Sequence, residues 1–475
     1  MKLDTSTDPQ VGYRPPGTPD FASALDRYAG PFSRREAAHL LRRAGFGGTP
    51  AEIDAAAALG AQPAVDGLLH PAGPDLAFPD FPDVAAVFDP KTRNATAQLW
   101  WLDRMLRTRR PLVEKMTLFW HGHFATSLQK VQANLMAGQI DLFRTHALGH
   151  FFDLLLAVSK DPAMLDWLDN RYNNKNHPNE NYAREVMELF TLGLGNYTED
   201  DVKNAARAFT GWTLDKSQNF EYREAVHDGG EKTFLGHTGN LSGEDVIAII
   251  ISQPVHQRFI CRKLLEFFVY SDPEPELVDA LARTYALSGF DIGQTVGTIL
   301  RSNVFFSARA YRALPKSPIE FAIGTLRFLG VREVPKDTPG WLQRMGQLPL
   351  APPSVKGWDG GPTWINTATL LARFNYVNRL VRTAPPAGGM HANAPALSPD
   401  DIVREAGGMD AGRVLAVITR DAIQDDLPGD VRRTMRDYLD STDAPVPVPL
   451  GIENYQDRIR GALALVLNLP SNQLN

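Results

Sequence analysis

Through most of its length the chain repeats apolar side chains at intervals of three and four, the spacing that lines one face of an α-helix and that no strand can satisfy. Leu99, Leu102, Met105 and Leu106 are followed by Leu112, Met116, Phe119 and Trp120, and the pattern continues through residues 135–158, 179–194 and 199–213. It resumes at 243–252, 255–269, 273–288, 292–301, 318–329 and 366–381. Start signals agree with it. Ser33 and Glu36, Thr49 and Glu52, and Thr198 and Asp201 each have the spacing of a reciprocal N-terminal cap, and Pro50 sits at a first helical position. The expected fold is therefore mainly α, a large multi-helix globular assembly. One interruption stands out: residues 214–240 mix glycines, aromatics and alternating polarity, as in Asn219-Phe220-Glu221-Tyr222, and predict a small β-hairpin or irregular insertion.

Prolines at 9, 15, 16, 19 and 31 exclude helix from the first segment. The expected organisation is an extended arm at 1–31, a main helical domain at 32–383, a linker at 384–399, and a C-terminal helical segment at 400–475 packed on the main domain. A hydrophobic fraction of 43% with 22% charged residues is enough to build a large core. The net charge of −6 supplies no basic field for nucleic acid. No run approaches the ~20 apolar residues that cross a bilayer, and Met1 to Gln10 has no apolar signal core, so the chain reads as soluble without an export address. The single cysteine, Cys261, forms no intrachain disulfide and no cysteine metal cluster; it lies in an apolar helical run.

Four segments carry chemistry. In Trp120-His121-Gly122-His123-Phe124 two imidazoles stand two apart, a pairing that suits a metal only if the helix ends near Gly122, because on a continuous helix they point about 200° apart. The alternative is one core and one capping histidine. On the helix predicted from Asn179, residues Asn181, Glu185 and Glu188 fall within about 60° of each other beside an apolar stripe of Tyr182, Val186, Leu189 and Phe190. Such a row can hold a metal or place an acid near a base; otherwise it is a salt-bridged edge with Arg184 paired to Glu188. His227-Asp228 on a glycine-rich loop, with Lys232 four residues on, can reach across a pocket. Trp358 and Trp364, on a turn rich in glycine, form either a stacking platform for a sugar or a buried apolar floor.

Together and in this order, these segments resemble a bacterial family named domain of unknown function 1800 (DUF1800). The resemblance rests on His39-Leu40-Leu41-Arg42-Arg43-Ala44-Gly45-Phe46-Gly47, on Phe119 to Ser127, on Asn179 to Trp212, on His227 to Gly236 and on Lys356 to Leu371, and it spans roughly residues 33–470. It implies a chain whose relatives are often exported, and which are often encoded beside proteins resembling sulfatases and alkaline phosphatases, a possible partner class. It implies no substrate.

The expectation from these residues is an enzyme that hydrolyses a small-molecule or glycan substrate. Glu185, Glu188, His227, Asp228 and Lys232 would be catalytic, and Asn181, Arg184, Trp358 and Trp364 would bind substrate. A divalent metal ion would be held by His121, His123, Glu185 and Glu188. Catalysis by the Glu185/Glu188 carboxyl pair without metal is a variant of the same site. The alternative is a scaffold that binds a glycan or a protein partner and catalyses nothing.

Overall fold

The computed structural model describes residues 23–81, 89–382, 397–440 and 449–475. Helices make up 59% of the structure, 21 of them α-helices among the described residues, with two small two-stranded sheets. The three caps read from sequence form as reciprocal boxes: Ser33 with Glu36, Thr49 with Glu52, and Thr198 with Asp201. Each box satisfies backbone donors that a helix start leaves without partners.

The insertion begins two residues earlier than expected and contains two hairpins. Trp212–Leu214 pairs antiparallel with Phe220–Tyr222, and Lys232–Phe234 with His237–Gly239. Trp212 starts the first strand because its buried ring packs edge-on against both Phe209 and Phe220. No helix among the described residues is long and apolar enough to cross a membrane.

One continuous buried cluster runs from Ala24 to Leu467. Two consequences follow for the expected organisation. Residues 1–22 and most of the expected linker, 384–396, lie outside the described residues; of the expected arm, 23–31 are described and are docked. Ala24 and Tyr28 are buried, and the Tyr28 amide donates to the Arg301 carbonyl at 2.7 Å. The Tyr28 ring lies against Phe306, with centroids 4.6 Å apart. The C-terminal segment shares the core and is tied by polar contacts as well: Arg34 to Asp421 at 2.8 Å, Arg42 to Gln424 at 2.8 Å, and the Lys316 amide to the Gln473 carbonyl at 2.8 Å.

Candidate cleft beneath the tryptophan turn

The helix Pro111–His123 ends one residue past Gly122, with both imidazoles still inside it. The two imidazoles therefore leave on different sides, as the 100° step requires. His121 is buried against Trp101 and Trp358, with ring centroids at 5.2 and 5.6 Å, and its Nε2 accepts the Leu350 amide proton at 3.1 Å. His123 lies among Phe119, Phe124 and Phe190, and its Nε2 donates to the Phe190 carbonyl at 2.9 Å. One ring accepts and the other donates, so they hold opposite tautomers. Burial lowers the His121 imidazole to about 3 and takes His123 well below the usual range, with the Lys263 cation adding to the latter. Both are neutral core groups.

On the helix Glu180–Glu188, Tyr182 and Val186 are buried, as is Phe190 just past its end, while Leu189, Glu185 and Glu188 are half-buried and Asn181 is exposed. Glu188 accepts a hydrogen bond from the Tyr197 hydroxyl at 2.8 Å. Arg184 does not pair with Glu188; its guanidinium turns to Glu199 at 2.8 Å and Glu180 at 3.2 Å. The Glu185 carboxyl is raised by burial and then by the Glu188 charge, yet no histidine joins the pair. Among the described residues no three His, Cys, Asp or Glu side chains gather closely enough to hold a metal ion. The ligand quartet His121, His123, Glu185 and Glu188 is accordingly not assembled, because the unbroken helix and the two backbone hydrogen bonds fix each imidazole elsewhere.

The loop residues are held by one another and by the neighbouring Arg207 and Thr210. Asp228 receives the Arg207 guanidinium at 2.7 Å and is held below the usual carboxylate range by it. The Thr210 carbonyl accepts from His227 Nδ1 at 2.8 Å. Lys232 is buried, its ammonium donating to the carbonyls of Asp228 and Gly230 at 2.6 and 3.0 Å. These bonds close the loop on the helix Glu199–Ala208 and leave Lys232 spent on backbone acceptors.

The tryptophan turn is different. Gly357 has φ 82°, and a Cβ there would fall 2.3 Å from the Gly122 carbonyl oxygen, so only glycine lets the turn lie directly on the histidine helix. That contact sets Trp358 against His121 and forms one wall of a cleft of about 450 Å³. Phe119, Phe267, Trp358 and Trp364 give it apolar surface, and Lys263, Glu266, Lys356 and Asp359 give it charge; His123 lies in the same lining. Lys356 and Asp359 pair at 2.8 Å on the exposed rim.

Lys263 and Glu266 are half-buried on the helix Pro254–Phe268. The Lys263 ammonium lies 5.0 Å from the Phe259 ring centroid and has no hydrogen bond or ion pair among the described residues. Burial pulls it below the ordinary lysine value; Glu266 opposes this and Lys356 adds to it. Burial pushes the Glu266 carboxyl up, against Arg262 and Lys263. The amine and the acid are thus both displaced toward their neutral forms within one turn of helix. Sequence reasoning missed them: a Lys/Glu pair at i, i+3 in an apolar run is also what a solvated helix edge looks like.

The profile of the family described as "Protein of unknown function (DUF1800)" matches residues 39–474, nearly the whole chain. The chain belongs to the DUF1800 family. No curated protein and no solved structure matches it. Trp358 and Trp364 of the cleft both fall within the residues that the family profile matches.

Proposed function

We propose that this DUF1800 chain is an enzyme that carries out acid–base chemistry on a small polar ligand held in the cleft beneath the tryptophan turn. The observation that supports it most is the Lys263/Glu266 pair. Two titratable groups pushed toward neutrality in one concave site, beside aromatic surface, are the usual mark of a functional centre. A carboxyl raised by burial, as Glu266 is, holds its proton to higher pH than an exposed one and suits the acid half of a hydrolysis. The ligand class is one with an apolar face and a polar edge, as a pyranose has: the rings take the face, and Lys263, Glu266 and the Lys356/Asp359 rim take the edge.

The test is a binding screen of sugars, sugar acids and 2-oxo acids by tryptophan fluorescence, followed by turnover assays on whatever binds. Trp358→Ala should abolish binding, whereas Glu266→Gln should keep binding and lose turnover. Ligands whose affinity is unchanged in both variants would place the site elsewhere. The second reading, a glycan-binding protein without catalysis, is favoured by Trp358 itself, and it wins if binding depends on Trp358 while no bound compound is converted.

A further inference from the structure

Lys263 is placed in a manner that a merely ionic role does not require. Its ammonium lies 5.0 Å from the Phe259 ring centroid, the residue lines the cleft, and among the described residues no carboxylate within ion-pair distance holds it. A second ammonium, Lys356, lines the same cleft, and Glu266 stands one turn further along the same helix. Lysines that serve as nucleophiles share this setting: an apolar pocket, a neighbouring cation and an acid close by.

We propose that Lys263 is an amine nucleophile that captures an aldehyde or ketone carbonyl of the ligand as an imine. The neutral amine adds to the carbonyl carbon, forming the C–N bond as the carbonyl oxygen takes a proton from solvent. The nitrogen loses a proton to the Glu266 carboxylate. Glu266 then returns a proton to the hydroxyl of the carbinolamine, the C–O bond breaks, and water leaves as the C=N bond forms. Amine, carbonyl and one solvent proton go to protonated imine and water with no change of oxidation state. The substrate class is a small carbonyl compound, open-chain sugars and 2-oxo acids included, and the bound imine would act as the electron sink for cleavage or proton removal at the adjacent carbon. This rests on the reading that the cleft is the ligand site, and not on any hydrolytic step.

The experiment is reductive methylation of the intact protein at neutral pH, with limiting deuterated formaldehyde and cyanoborohydride, quantified lysine by lysine by peptide mass spectrometry. Formaldehyde is itself a carbonyl, and the reductant traps the imine where it forms. Lys263 should label roughly tenfold or more faster than Lys203, whose side chain is 58% exposed, because the unprotonated fraction sets the rate. Glu266→Gln, checked for an unchanged melting temperature, should slow Lys263 and leave Lys203 as it was. Labelling of Lys263 slower than that of Lys203 overturns the proposal. Equal labelling overturns it too. The ligand screen with Trp358→Ala reads the cleft independently, so loss of the imine and loss of the ligand site are distinguishable results.

Discussion

At the scale of single residues, burial decides what an ionisable group can do. Asp161 caps the helix Pro162–Trp167, with its Oδ2 accepting from the Met164 amide at 2.9 Å and from Gln139 at 2.6 Å, and burial lifts its carboxyl to about 7. An acid raised above its unfolded value stabilises the fold while it keeps its proton. That contribution is whole below about pH 4 and is lost as pH rises through about 7. Urea unfolding across that range should show the wild type losing on the order of a few kcal/mol relative to Asp161→Asn, which keeps the cap and removes the titration; parallel profiles would refute it. His121 supports a second expectation. Replacing it by Phe strands the Leu350 amide, which has His121 Nε2 as its acceptor, and should cost about 1 to 3 kcal/mol in denaturant titration. Glu188→Gln, by contrast, keeps an acceptor for Tyr197 and should change stability by less than about 0.5 kcal/mol. Loss of ligand binding in that variant would restore the Glu185/Glu188 edge as a site.

At the scale of elements, the backbone was the legible part and side-chain company was not. Capping boxes at Ser33, Thr49 and Thr198 are local, needing only four consecutive residues, so they read directly from the sequence and form as read. The His121/His123 segment failed differently. Glycine permits a helix end without demanding one, and packing of the Trp120 ring against Phe124 and Phe151 carries the helix on to His123. Lys263 and Glu266 were hidden because what makes them unusual, the turn from 353 to 364 lying over them, is about ninety residues away in sequence. That turn depends on one contact of two glycine backbones. Gly357→Ala should cost about 1 to 3 kcal/mol from its φ and from the Gly122 carbonyl together. It should also weaken any ligand that needs Trp358, measured by thermal unfolding and by fluorescence titration of the same sample.

At the scale of the whole molecule, the cleft is where distant parts of the chain meet. Phe119 and His123, Lys263 and Glu266, Pro315 and Glu320, Gln347, the tryptophan turn, and Asn475 all line it. Glu320 ties this floor to the interior, with Lys115 as its ion-pair partner and Asn475 Nδ2 donating to its Oε1 at 2.9 Å. Burial alone would raise the Glu320 carboxyl, but Lys115 and Ser317 outweigh it and hold it low. Glu320→Gln leaves the Lys115 ammonium inside without a counter-charge and should cost about 3 to 5 kcal/mol, seen as a large fall in melting temperature. Since no stretch of chain contains the cleft by itself, a partly folded molecule has no place for the ligand at all. Binding then draws on the cooperative fold in its entirety by mass action: the right small molecule would reveal itself as a thermostat for all parts of the protein at once, slowing hydrogen exchange in helices that never come near it.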